Sequence, residues 1–520
     1  MFNPKRKQVM KKIKISRYLL ITYMVLAGCD AGFDEINTSK TGVLTLNPVY
    51  MFNNAMIRSS FPQQTLVFEV AIVQQMVTPN SGVVSGGNYN QDNRGVTFFL
   101  WQRYYREVIK GLADVLDKTK EDATRTNLYN MARIWRAYTF MVLTDTYGDV
   151  PFQEAGLGYL GDIIAPSYDT QEFIYTTVLS ELEDAADALD EGLTIETSDI
   201  LYGGNIVKWK RFAYSLMLRA GMRLGEVDPV TADKYVDKAV AGGVMQSNAD
   251  NALIRHTANY TNEISGWLTG TEASNFYLAR PFVDYLKTNN DPRLVSMAVR
   301  YVGAQTGAQQ TAGIASKDPA LQTGMPMGYD NGTILAVVQN EGLASFYDYT
   351  QLDRTRMGKT TAPMFFVTYA QTNLLLAEAV QRTWATGDAD QLFADGIRAH
   401  MKQMADYDPN SAILDVAIDQ YIADHPLNGG TELEQINTQY WVASFLNGPE
   451  AFANFRRSGF PDLAPNPYPG KSIDGDFINR LTYPDPEFSV NSENVQEAVN
   501  RQEPAMKKDI MDTRVWWDKP

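Results

Sequence analysis

The sequence predicts an all-α protein in which helix pairs stack into an array, with long loops between the helices. Three observations predict it. Apolar residues recur at i, i+3, i+4 and i+7 in segment after segment, the spacing of one helix face. Short Gly or Asp turns, such as Thr386-Gly387-Asp388, join neighbouring segments. Long stretches rich in Gly, Pro, Asn and Tyr lie between them. A hydrophobic content of 44% is enough to build a real core.

Residues 1–28 are read as an export signal. Lys5, Arg6, Lys7, Lys11, Lys12, Lys14 and Arg17 form a basic start with no acid among them, and Tyr18 to Gly28 is apolar. That run is too short to span a bilayer, which takes about 20 residues. It ends in Leu26-Ala27-Gly28-Cys29, and Cys29 is the single cysteine of the chain. A lone exported thiol makes no internal disulfide, so Cys29 is read as a lipid acceptor. Each buried CH₂ adds roughly 0.8 kcal/mol and one acyl chain anchors only marginally, so stable attachment takes a multiply acylated cysteine. Residues 29–46, with Asp30, Asp34 and Glu35 and no helical period, are a lipidated tether. Residues 47–520 are the helical binding domain.

The helices follow in order. One starts near Trp101 and runs to Lys118. From Asn127 to Tyr147, Leu128, Met131, Trp135, Tyr138 and Val142 share a stripe. From Gln171 to Asp190, Tyr175, Leu179, Leu182, Ala186 and Leu189 do so. From Asn205 to Leu224, Trp209, Phe212, Ala213, Leu216 and Ala220 face one way, while Lys208, Arg211, Ser215, Arg219 and Arg223 face another. From Met364 to Trp384 the stripe is Phe365, Tyr369, Leu376 and Val380. Phe393, Ile397, His400, Met401 and Met404 mark the next helix, and Leu433, Ile436 and Tyr440 another. Helix pairs that cannot bury their faces alone must stack, which is the logic of tetratricopeptide arrays.

Residues 79–100, 256–280, 302–362 and 455–520 read as loops. Loops this long are uncommon without a use, and loops on a rigid scaffold carry binding residues. Pro461, Pro465, Pro467, Pro469, Pro484 and Pro486 predict that the last stretch is extended. With 28 Tyr and 8 Trp in the chain, the aromatics of these loops carry the functional signal. Sugar rings present flat C–H faces to Tyr and Trp, while Asn, Asp and Arg bond the hydroxyls. The candidates are Asn88, Tyr89 and Asn90, then Tyr260, Trp267 and Tyr277, then Phe346, Tyr347 and Tyr349. The bland reading of each is loop packing. Trp516 and Trp517 read as a C-terminal latch rather than an interface anchor.

Other chemistry finds little support. Loss of seven basic signal residues takes the net charge from −15 to −22, unsuited to nucleic acid or anionic lipid. Asn88, Asn90 and Asp92 alternate like a calcium loop, but Asn93 and Phe99 stand where an EF-hand needs Gly and Glu. No metal or other cofactor is predicted, though a calcium site of another kind stays open. Of the three histidines, His256, His400 and His425, none forms a zinc motif, and His400 lies on an apolar stripe as a core residue. Asp145-Thr146-Tyr147-Gly148-Asp149 reads as a helix end, with Gly148 as C-terminal cap and Pro151 as stop. No G-x-S-x-G elbow occurs. The chain reads as a binding protein, not an enzyme. Because 61 acids leave carboxylate pairs open, a lipid-anchored hydrolase is the least favoured reading.

Several motifs carry a family resemblance. The lipobox Leu26 to Cys29 is followed by Phe33-Asp34-Glu35-Ile36-Asn37, and Thr144 to Phe152 ends a first helical pair. The segment from Val207 to Leu224 comes next, then Asn290-Asp291-Pro292-Arg293-Leu294 and Leu374 to Ala379. Phe455-Arg456-Arg457 and Arg480-Leu481-Thr482-Tyr483-Pro484 complete the set. In this order the chain resembles the SusD/RagB family of outer-membrane lipoproteins, in a divergent branch, over residues 26–520. The resemblance implies four tetratricopeptide-like helix pairs under a loop-rich cap. It implies an outward-facing lid over a SusC-type TonB-dependent transporter, capturing a glycan or, in some branches, a peptide. For a peptide, the acidic body favours basic segments and salt weakens capture.

Overall fold

The structure, a computed structural model, describes residues 46–269 and 276–519. The signal, Cys29 and all of the tether but Leu46 lie outside these residues. Helix α1 is Pro48–Arg58. Helix α2, Arg94–Arg103, continues through a π turn, Tyr104–Ile109, into α3, Lys110–Thr119. Helix α4 is Thr126–Tyr147, α5 Gln171–Ala188, α6 Ile206–Arg223 and α7 Pro229–Gly242. Then come α8 (Arg280–Thr288), α9 (Tyr369–Gln381), α10 (Ala389–Tyr407), α11 (Asp415–Asp424), α12 (Glu432–Ala443), α13 (Gly448–Ser458) and α14 (Ser492–Gln502).

From α3 to α7 each helix packs on the next. Helix α6 also packs on α9, α9 on α10 and α12, α12 on α13, and α13 back on α4. Side-chain oxygens fix the starts: Thr170, Asn205, Asp228 and Asp388 each accept an orphan backbone N–H. Gly148, at φ 82, ends α4 and donates its N–H to Thr144 at 2.8 Å.

Three sequence expectations are corrected. Met364–Val367 is a strand, β7, not the first turn of a helix, and it pairs antiparallel with β2 (Ala252–Ile254). All four of its residues are buried, so the apolar run fits a core strand as well as a helix face, and α9 starts only at the Thr368–Gln371 capping box. The 79–100 loop gives way to α2 at Arg94. The stretch 455–520 contains α14, whose Val495, Ala498 and Val499 are buried. The remaining strands are short: β1 (Met76–Val77) pairs with β3 (Tyr277–Leu278), and β4 (Ala298–Tyr301) pairs with β5 (Ala315–Ser316) and β6 (Gln351–Leu352).

Charged groups hold the helix rows together. Of the polar face predicted for α6, Ser215, Arg219 and Arg223 are buried. Arg223 donates to Glu450 of α13 at 2.8 Å, Arg219 lies 3.3 Å from the same carboxylate, and Tyr440 of α12 donates to it at 2.7 Å. Asp145 on α4 accepts from Tyr175 of α5 at 2.5 Å and from the Trp517 indole at 2.8 Å. Trp517 is fully buried, so the chain end is latched onto α4. His400 is a core residue whose Nδ1 accepts from Arg293 at 3.0 Å.

Glu69 sits in this interior among Tyr104, Tyr147 and Arg456, and burial, above all, pushes its carboxyl up to about 8. Between pH 4.5 and 8 the folded chain keeps a proton that the unfolded chain gives up, so stability falls as pH rises through that window. Full ionisation costs on the order of 5 kcal/mol. Glu69→Gln is therefore expected to gain on the wild type steadily from pH 5 to 8. Urea midpoints across that range check it, and parallel curves for the two proteins would refute it.

Candidate ligand-binding site

Three tyrosines flanked by turn-forming residues meet on the cap: Asn88-Tyr89-Asn90, Gly328-Tyr329-Asp330 and Pro467-Tyr468-Pro469. Gly, Pro, Asn and Asp shape turns, so in each loop the ring is the large side chain that the turn presents. Amide side chains tie the loops together. Asn88 donates to the carbonyls of Thr78 at 2.7 Å and Tyr329 at 2.8 Å, and accepts from the Gly328 N–H at 2.8 Å. Asn466 donates to the carbonyls of Gly87 at 3.0 Å and Asn88 at 2.7 Å. The Ser472 N–H bonds the Asn90 carbonyl at 2.8 Å, and Gln91 bonds the Gly470 carbonyl at 2.8 Å.

Tyr89 and Tyr468 stack with centroids 3.7 Å apart and planes 2° from parallel. Burial first, then the Asp330 carboxylate, pushes the Tyr89 hydroxyl up to about 12, so it stays protonated. The Asp330 carboxyl is held below its usual range by the Thr333 and Gly332 N–H groups, at 2.8 and 3.0 Å. Tyr329 adjoins a small apolar cluster that includes Val77, Tyr277, Met325, Met327, Ile334, Val338 and Tyr349. Tyr329 and Phe346 rest on it half-buried.

The structure divides the nine residues singled out from the sequence. Asn88, Tyr89 and Asn90 lie together at the loop junction but are 2%, 6% and 3% exposed, so their side chains support the loops. Tyr277 and Tyr349 are wholly buried in the small cluster, with the Tyr349 hydroxyl donating to Glu341 at 2.8 Å. Phe346 and Tyr347 are half-buried and 4.2 Å apart. Trp267 is half-buried and stacked on Phe276 at 5.4 Å. Tyr260 opens onto a separate cleft with Tyr202, Lys208 and Arg255. Tyr329 and Tyr468 escaped sequence reading, although their flanking turn residues repeat the pattern around Tyr89. Among the described residues no group of three His, Cys, Asp or Glu side chains is gathered for a metal. Asp92 is spent on Arg94 and Thr482.

A family model, SusD-like, described as starch-binding associating with outer membrane, matches residues 35–484. The chain belongs to the SusD-like family. Among solved structures, this SusD-like chain is 29% identical to a chitin-binding protein, with a TM-score of 0.80, over 91% of this chain and 100% of the other. A Bacteroidetes SusD-like protein, AC2a, is 27% identical at a TM-score of 0.79 with the same coverage. A chitin-binding SusD homolog from Flavobacterium johnsoniae, 24% identical over 90% of this chain and 97% of its own, shares the fold at a TM-score of 0.73. No curated protein matches the chain. No helix among the described residues of the SusD-like chain is long and apolar enough to cross a membrane.

Proposed function

We propose that this SusD-like protein captures an oligosaccharide at the outer-membrane surface and passes it to a SusC-type TonB-dependent transporter. Acylated Cys29 anchors it in the membrane, facing the exterior. The observation that carries the glycan reading is the tyrosine junction, where three loops distant in sequence bring together the Tyr89–Tyr468 stack and Tyr329, which rests on an apolar cluster. Partly exposed rings on a fixed base suit the C–H faces of pyranoses, and Asp330 beside them suits a hydroxyl. Phe346 and Tyr347 extend the aromatic surface beside Tyr329, while Asn88, Tyr277 and Tyr349 hold it in place. The likeness to a chitin-binding protein at 29% identity favours a neutral N-acetylated sugar over a charged one. Such a surface offers stacking and hydrogen bonds, the means of binding without turnover.

The test is calorimetric titration of the mature protein with chitohexaose. Tyr329→Ala and Tyr468→Ala are each expected to weaken binding about tenfold, roughly 1.4 kcal/mol, and together to abolish it. Tyr89→Ala is expected to weaken it through loss of support for Tyr468. Unchanged affinity in the double variant would remove this surface from the reading. Capture of basic peptides without capture of sugars would turn the cargo to peptide, and shortened sugar products would make the protein a hydrolase.

A further inference from the structure

A second cleft, of about 570 Å³, is built by elements that take no part in the cap. Its walls are α1 with Met51, Asn54 and Arg58, the π turn and α3, and the loop after α4 that carries Gly156, Tyr159 and Leu160. Glycines let these parts close together. A Cβ on Gly156, at φ 80, would come within 2.9 Å of the Ala113 side chain and 3.2 Å of the Ile109 carbonyl. A volume of this size matches pockets that hold small ligands.

The charge here runs against the rest of the chain. The full sequence carries −15, yet the cleft is lined by Arg58, Arg106, Lys110 and Lys118 against only Glu107 and Asp114. Both acids are already matched, Glu107 by Arg58 at 3.3 Å and Asp114 by Lys118 at 2.5 Å. Arg106 and Lys110 are left, exposed and one turn apart, with no ion-pair partner among the described residues. Arg106 and Glu107 stand on the π turn, a helix distortion that often marks functional sites. At the rim Tyr159 is 88% exposed, an aromatic ring that no packing in the described chain accounts for.

We propose that this cleft is a binding site for an acidic saccharide. The carboxylate of a uronic acid takes the Arg106 guanidinium in a forked pair, with Lys110 as a second cation beside it, while the pyranose face lies on Tyr159. The site is separate from the tyrosine junction, and a chain that uses both would hold acidic and neutral sugars independently.

The probe is trigalacturonate titrated into the whole mature protein at low salt, with maltotriose as the neutral control. Saturable binding is expected for trigalacturonate alone, weakened at least tenfold by Arg106→Ala with Lys110→Ala and about threefold by Tyr159→Ala. Raising salt from 50 to 300 mM is expected to weaken it further, because exposed charges are screened over about 10 Å at 0.1 M. The charge-keeping pair Arg106→Lys with Lys110→Arg retains binding. Chitohexaose affinity stays unchanged in all these variants, so failure here and failure at the cap are told apart. Absence of saturable trigalacturonate binding at millimolar concentration, or equal affinity in the Arg106→Ala, Lys110→Ala protein, overturns the assignment.

Discussion

Glu378→Ala is expected to destabilise the fold by about 3–5 kcal/mol, the cost of stranding a buried partner charge. The Glu378 side chain is fully buried on α9, and that of Arg457 on α13 is 1% exposed. Arg457 grips the carboxylate with two bonds of 2.6 Å, Arg382 adds one of 2.9 Å and Asn437 of α12 one of 3.1 Å. One carboxylate thus joins three helices. Despite burial, these two arginines hold its carboxyl down at about 2. The unfolded carboxyl titrates near 4.5, so the stabilisation is complete above that pH and is lost as pH falls from 4.5 toward 2. Urea unfolding at pH 7 measures the loss as a lower midpoint at unchanged slope. Replacing both partners, Glu378→Leu with Arg457→Met, is expected to cost less than Glu378→Ala alone, since the fully buried guanidinium goes with its carboxylate and Arg382 keeps Glu226 at 3.2 Å. A single variant within 1 kcal/mol of the wild type would show that the pair holds nothing together.

That pair explains what the sequence motifs were reporting. Leu374 to Ala379 supplies Glu378, and Phe455-Arg456-Arg457 supplies its partner. Asn290 to Leu294 supplies the wholly buried Asp291–Arg293 pair that meets His400 and Gln439. Arg480 to Pro484 supplies Arg480, paired with Asp509, and Thr482, which bonds Asp92 at 2.6 Å. Asp145 and Asp149, at the end of α4, bind Trp517 and Arg501. Each of these motifs thus supplies a buried charged or capping group that joins two or more helices, a role that the apolar stripes cannot fill.

The helices themselves were legible because one face of each must be apolar. Periodicity cannot say which apolar runs of four are strands, and so Met364–Val367 passed for helix. The prolines of the tail stop at Pro486 and resume at Pro504, and α14 occupies the gap. The site was half legible. Asn88, Tyr89 and Asn90 lie at the junction, but rings inside a loop do not announce which face is inward. Tyr329 and Tyr468 become visible only when Asn88 and Asn466 pin their loops to the same place.

The second large effect is expected at the chain end. Trp517→Ala removes a fully buried indole that lies under the guanidinium groups of Arg456 and Arg223, 5.0 and 5.4 Å from its ring. The cavity and lost contacts are expected to cost about 3–5 kcal/mol. Asp145 also loses its indole N–H, but keeps Tyr175 and Arg223, so its charge stays compensated. The damage should therefore be one of packing, which separates it from the charge-driven loss at Glu378. Trp517→Phe, which fills most of the space but donates nothing to Asp145, is expected to recover more than half of it. Recovery of less than that would make the hydrogen bond the stronger part of the latch. The same tail carries Tyr468, so a loosened end has a functional readout. In Trp517→Ala the segment from Pro461 to Lys519 is expected to exchange amide hydrogen faster, while α9 and α10 keep their protection. Uniform exchange across the chain would mean that the latch stabilises the whole helix array rather than the end of the chain that reaches the binding loops.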